Sequence, residues 1–540
     1  MTETSLYFKI AKELSIDAKQ VKSTVELLDE GATVPFISRY RKEVTGSLDE
    51  VQVLTIKNEI ERLRQLEQRR ESILKSISGQ GKLTEELEQK ILAAELLSTL
   101  EDLYLPFKPR RRTKATIARE KGLEPLATLI LEQKTSNLFQ EALSFVNKEL
   151  EVNSTDEALQ GARDIISEIM SEDAVVREGM RVLFKSSAII KSKVIRGKEE
   201  EGQKFEDYFE WEEKLMTCPS HRMLAMRRGE KEDFLILDIV IDDELAHEQI
   251  KKQFIKTKNE CAEQISLAIE DGYKRLLQPS IEAEMRLMTK QIADEKAIQV
   301  FADNLRELLL ASTIKKKSIL ALDPGFRTGC KVVALDAQGK LLEETVIYPH
   351  EPQRRVTESQ HIVLAFCAKH GIEAIAIGNG TASRETEQFI RNIEVLPKSI
   401  PVIMVSESGA SIYSASDVAR EEFPDYDLTV RGAVSIGRRL ADPLAELVKL
   451  DAKSIGVGQY QHDVDQTALK NKLDTVVMSC VNGVGVELNT ASKQLLSYVS
   501  GIGDTLAKNI VDYRNENGAF KSRKDLLKVN RMGDKVFEQC

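Results

Sequence analysis

Ser318-Ile319-Leu320-Ala321-Leu322-Asp323-Pro324-Gly325-Phe326-Arg327-Thr328-Gly329 sets one carboxylate at the end of a wholly apolar run and follows it with turn residues. Residues 319–322 carry no polar side chain, which predicts a strand buried on both faces, and Pro324 and Gly325 end it. Residues 331–335 read as a second strand, 336–340 as a turn and 341–347 as a third strand. An ordinary Asp-Pro-Gly turn ahead of a hairpin accounts for the tripeptide equally well, so the neighbouring sequence must decide whether Asp323 carries chemistry.

Working outward, strands and helices alternate to about Lys449, which predicts an α/β domain. A helix over residues 356–370 stops at Gly371, and a buried strand over 374–377 runs into Gly378-Asn379-Gly380-Thr381-Ala382-Ser383. That turn opens a helix over 384–393, where free backbone amides can hold a phosphate or simply connect strand to helix. The next strand, 401–405, delivers Glu407. Two strands ending in acids suit a site for paired magnesium ions, which take oxygen ligands and stabilise both the attacking and the leaving oxygen in phosphodiester hydrolysis. The metal candidates are Asp323 and Glu407; a third acid must come from the following helix, where Asp442 and Glu446 are available. Asp442 directly precedes Pro443, however, and an N-cap there explains it without a metal.

A chain of 540 residues is expected to hold several domains, and 42% hydrophobic content permits sizeable cores. With 30% charged residues and a formal net charge of -10, bulk electrostatics do not make it a nucleic-acid binder, so any such binding rests on local patches. The six cysteines are scattered and show no metal-ligand spacing with the six histidines, which argues against a zinc site or a disulfide framework. No signal peptide and no membrane-spanning apolar run is present, so the expectation is a reduced, soluble, cytoplasmic protein without a membrane partner.

Residues 1–315 are overwhelmingly of helical periodicity. Asp17 caps a helix that Gly31 stops, and Pro35 opens a short one over 36–42, an arrangement that fits a helix-turn-helix or a plain packed bundle. Ser47-Leu48-Asp49-Glu50 reads as a capping box for a helix to about residue 76. Two prolines and a basic group interrupt the run at Leu105-Pro106-Phe107-Lys108-Pro109-Arg110-Arg111-Arg112. Arg110, Arg111 and Arg112 are available there for phosphate or for acidic neighbours in the same chain. The apolar runs at 188–195 and 234–241 suit strands or buried helix ends, and a further helix over 297–311 precedes the linker Lys315-Lys316-Lys317.

The C-terminal segment carries the clearest binding signal. Residues 495–511 read as helix, hairpin and helix around Gly501-Ile502-Gly503, where the glycines allow positive φ and bring amides to a phosphate while Ile502 anchors the hairpin. Asn530-Arg531-Met532-Gly533 begins a degenerate second copy, and Lys508, Lys521 and Arg523 supply flanking positive charge. A helical hairpin without a ligand is the plainer alternative.

Taken together these segments resemble the Tex family of bacterial transcription accessory proteins. The resemblance rests on Val34-Pro35-Phe36-Ile37-Ser38-Arg39-Tyr40-Arg41-Lys42-Glu43, the Leu105 segment, Ser220-His221-Arg222-Met223-Leu224-Ala225-Met226-Arg227-Arg228-Gly229, the Asp323 segment, Ile455-Gly456-Val457-Gly458-Gln459-Tyr460-Gln461-His462-Asp463-Val464 and the Gly501 hairpin. It implies an elongated, multidomain, mostly α protein with one α/β domain. The implied divisions are a helical region with a helix-turn-helix-like N-terminal part over 1–315, a RuvC-like (YqgF-type) ribonuclease-H-like domain over 316–450, and a truncated helix-hairpin-helix domain over 451–540. The resemblance also implies a C-terminal OB-type RNA-binding domain for the family, which is not expected within these 540 residues. In RuvC-type nucleases the helix carries a tight acidic pair, and Asp442 with Glu446 one turn on departs from it.

The function expected is a transcription accessory factor that contacts the phosphate backbone of RNA or DNA without strong sequence preference, needs no cofactor and is not an enzyme. RNA polymerase or another transcription factor is the implied protein partner. The alternatives are a magnesium-dependent structure-selective nuclease using Asp323, Glu407 and Asp442, and a helical scaffold for the transcription machinery.

Overall fold

The computed structural model describes residues 3–109, 112–135, 137–314 and 316–540. The chain divides into two compact units, one formed by Asn58–Glu295 with the short N-terminal stretch up to Leu6, the other by Tyr7–Lys57 with Lys296–Cys540. The divisions fall inside the helices Glu3–Leu14, Glu50–Gly79 and Gln278–Leu309. The architecture is multidomain and mostly helical, with two small sheets.

The first unit is helical around a three-stranded antiparallel sheet, β1 (Ile189–Val194), β2 (Glu210–Lys214) and β3 (Leu235–Val240), in the order β2-β1-β3. The apolar runs at 188–195 and 234–241, open in sequence to strands or buried helix ends, are the strands β1 and β3; β2 is not legible in the sequence because its Glu-Trp-Glu-Glu-Lys has no such run. A buried ion set joins three helices: Asp102 accepts from Arg177 Nε at 2.7 Å and from Arg181 Nη1 at 2.5 Å, and Glu284 accepts from both arginines. Arg112 pairs with Glu120, Nη2 to Oε2 at 2.5 Å, one of the two uses left open for the basic loop. Arg110 and Arg111 lie outside the described residues.

The second unit holds the five-stranded sheet: β4 (Ile319–Asp323), β5 (Cys330–Leu335), β6 (Leu341–Ile347), β7 (Ala374–Gly378) and β8 (Val402–Val405). Its order is β6-β5-β4-β7-β8, with β4–β5 and β5–β6 antiparallel and β4–β7 and β7–β8 parallel. Burial on both faces explains the continuous apolar run of β4. Leu320 and Leu322 pack with Ile375, Phe366 and Ile390 on one face, Ile319 and Ala321 with Val333, Val434 and Ile436 on the other. The second face is covered by helix Leu428–Ala441, which approaches closely because Gly437 has no side chain: a Cβ there would stand 2.9 Å from that of Ala321.

The N-terminal part of this unit corrects two expectations. Helix Val34–Tyr40 begins earlier than read, capped by Thr33, with Pro35 in its first turn. The capping box ahead of Glu50 is not Ser47 with Glu50 but Asp49 with Gln52: Asp49 Oδ1 accepts from Gln52 N at 2.8 Å, and Gln52 Oε1 from Asp49 N at 3.1 Å. Ser47 sits at φ 65° and cannot cap from there. Val34, Pro35, Phe36, Ile37 and Ser38 are buried, and Arg39 Nη2 donates to Ser479 O at 3.1 Å. That short helix is therefore core, packed towards helix Gln466–Val484, and presents no continuous face to a groove of DNA.

Candidate carboxylate site and nucleic-acid interface

Asp323 ends β4 opposite Lys331 of β5. Burial and the nearby charge of Glu407 push its carboxyl up to about 6, against a smaller opposing pull from Lys331. Glu407 follows β8 on a loop fixed from two sides: its N–H donates to Asn379 Oδ1 at 3.1 Å, and the buried Arg439 Nη1 donates to the carbonyls of Ser406 and Ser408 at 2.8 and 2.7 Å. Burial raises the Glu407 carboxyl too, and the Arg439 charge opposes it.

The glycine turn, open in sequence to a phosphate or to a plain strand-to-helix connection, also makes room for a side chain of the chain itself. A Cβ on Gly380 would stand 1.4 Å from Glu407 Oε1, and one on Gly378 would stand 2.6 Å from Oε2. The space that the absent side chains leave open is filled by the chain's own carboxylate, so it does not serve as a cradle for an external phosphate.

The third acid does not join. Asp442 Oδ1 accepts from Ala445 N at 3.0 Å as the N-cap of helix Pro443–Leu447. Glu446 is buried and pairs with Lys449 at 2.8 Å. Where helix Leu428–Ala441 faces Asp323 it offers Gly432, whose Cβ would lie 3.3 Å from Asp323 Oδ2. Among the described residues, no group of three or more His, Cys, Asp or Glu side chains is placed to hold a metal ion. The acids present therefore do not fit the three-carboxylate magnesium set, and no hydrolytic step is derived from them.

The C-terminal hairpins repeat closely. Gly501 has φ 80° and Arg531 φ 68°; Ile502 and Met532 are both buried; Gly503 and Gly533 begin helices Asp504–Asn517 and Asp534–Gln539 at φ -92° and -90°. Ile502 N donates to Val499 O at 2.9 Å and Met532 N to Val529 O at 3.1 Å. Of the two glycines in the first hairpin Gly501 alone has positive φ, so the second serves another purpose: at Gly503 nothing lies within 4 Å of a Cβ position, and no side chain caps the helix. The first helical bond after the hairpin runs from Ala507 N to Gly503 O at 2.9 Å, so that among the described residues the amides of Gly503, Asp504, Thr505 and Leu506 have no acceptor. Lys508, in the second turn of that helix, and Lys521 are both exposed. Arg523 is committed elsewhere, donating to Phe537 O at 2.5 Å and Cys540 O at 2.8 Å with its guanidinium over the Phe537 ring.

Four family models match in succession along the chain. Residues 4–78 match the Tex-like protein N-terminal domain, 133–301 the Tex central region, 317–441 the Tex protein YqgF-like domain and 481–540 the helix-hairpin-helix motif. The chain is 47% identical over 546 residues to the uncharacterized protein YdcI of Bacillus subtilis, covering 100% of this chain and 76% of that one. It is 49% identical over 543 residues to protein YhgF of Escherichia coli, covering 98% of this chain and 70% of that one. It is 46% identical over 551 residues to the transcriptional accessory protein Tex of Neisseria gonorrhoeae, again 98% and 70%. Four family domains in order, and identity at this level across nearly the whole chain, make this protein a member of the Tex family.

Proposed function

We propose that this Tex-family protein binds nucleic-acid backbones through its paired hairpins, without strong sequence preference, in support of the transcription machinery. The observation that carries the reading is the open run of amides at Gly503, Asp504 and Thr505, at a helix N-terminus with Lys508 alongside. Oriented N–H groups and the positive end of the helix favour a phosphate oxygen, and phosphate contacts hold register without reading bases. Lys521 adds charge, whereas Arg523 stabilises the last helix and is not counted among the contacts.

The test is binding of single- and double-stranded oligonucleotides of unrelated sequence by the parent and by a Gly501→Asp/Gly503→Asp variant. Similar affinities across sequences, lost together in the variant, are expected; undiminished binding by the variant removes the hairpins from the interface. RNA polymerase is the proposed protein partner. Its co-purification with this chain after thorough nuclease treatment would favour a protein scaffold, and its loss on that treatment a link through nucleic acid. The nuclease reading lacks its third carboxylate, and under this proposal no metal cofactor is required.

A further inference from the structure

Tyr40 is the aromatic side chain that the otherwise buried helix Val34–Tyr40 leaves exposed, at 52%. It borders a cleft of about 430 Å³ whose apolar wall includes Val499 and Ile502 of the first hairpin and Phe520, and whose rim carries Lys521. Two of the amide side chains in that cleft, those of Asn482 and Asn489, are already engaged. Asn482 donates to Met478 O and Tyr498 O and accepts from Ser500 N. Asn489 donates to Phe520 O and accepts from Phe520 N. Both are committed to the backbone, and beside them the cleft offers apolar surface, an exposed ring, the Gln539 amide and the exposed charges of Lys521 and Glu487.

The cleft is continuous with the amide run. Ile502 lines it, and the next residue, Gly503, begins the unbonded N–H groups, one Cα step of about 3.8 Å away. We propose that this cleft seats an unpaired nucleobase of a strand whose phosphate is held at the Gly503 turn, with Tyr40 as the stacking partner. The inference rests on the hairpin reading and gives it a substrate class: single-stranded segments, ends or bulges, since bases paired and stacked in a duplex cannot enter. Because stacking uses the face that every base possesses, the seat tolerates any sequence.

The experiment uses a single-stranded oligonucleotide carrying 2-aminopurine, and the same strand in a blunt duplex, against the parent, Tyr40→Ala, Tyr40→Trp and Gly503→Asp. Tyr40→Ala is expected to weaken single-strand binding by about 5- to 150-fold, abolish the quenching of 2-aminopurine and leave duplex affinity unchanged. Tyr40→Trp is expected to retain both binding and quenching. If Tyr40→Ala binds and quenches like the parent while Gly503→Asp fails to bind, the base seat is refuted and the hairpin reading stands. If Gly503→Asp binds both substrates like the parent, the hairpin reading falls and the base seat with it.

Discussion

The carboxylate site and the paired hairpins are both built around glycines, and the two use them in opposite ways. At Gly378 and Gly380 the missing side chains make room for Glu407, a group of the chain itself. At Gly503 nothing of the chain lies within 4 Å of the missing side chain, and the neighbouring amides remain unbonded. A glycine motif can thus mark a position already filled from within or one left open to a ligand. What stands within reach of the absent Cβ separates the two.

The largest expected effect comes from charging the open turn. Gly503→Asp fits its backbone, at φ -92°, and puts an anion where a phosphate would lie. Nucleic-acid affinity should fall by about tenfold or more, as expected when charge-assisted contacts become repulsive, while Asp323→Asn should leave it unchanged in the same titration. The glycine contrast itself is tested by Gly380→Ala beside Gly533→Ala. The first forces Glu407 from its place and should destabilise by about 1–3 kcal/mol in denaturant unfolding, whereas the second has no neighbour within 4 Å and should stay within about 0.5 kcal/mol. Equal effects at the two positions would erase the distinction.

A smaller effect should appear in the pH dependence of stability. The Asp323 carboxyl titrates near 6 in the folded protein, and an unfolded aspartate near 4, so the native state holds the extra proton across about pH 4–6. The stability of the parent should therefore fall through that window as pH rises. Asp323→Asn does not titrate, so its stability relative to the parent should rise by about 1–2 kcal/mol between pH 4 and pH 7, read as unfolding midpoints. A flat difference would mean that the carboxyl is not held in this state. The smallest effect belongs to Lys508→Ala, which removes one exposed charge and should reduce the slope of log affinity against log salt by about one.

Much of the α/β domain is legible in the sequence because burial on both faces leaves apolar runs such as Ile319 to Leu322, and because αL glycines such as Gly371 end helices where they stand. Strand β2 is not legible, since its inward positions are Trp211 and Glu213 rather than aliphatic residues. The hairpins are legible because their motif is a backbone property written in spacing. The carboxylate set is only half so: Asp323 and Glu407 sit at strand ends that the pattern locates, but whether Asp442 turns towards them depends on its competing bond to Ala445 N. That Gly432 faces Asp323 follows from the packing of helix against sheet, which no local pattern records. The commitment of Arg523 to the last helix is likewise tertiary.

The central claim, that the hairpins bind the nucleic-acid backbone, is tested most directly by salt-dependent titration of one RNA and one DNA of unrelated sequence with the parent and with Gly503→Asp. The account predicts log affinity falling linearly with log salt, similar for both nucleic acids, and weakened across the whole salt range in the variant. Affinity that ignores salt, or that Gly503→Asp leaves intact, would contradict it.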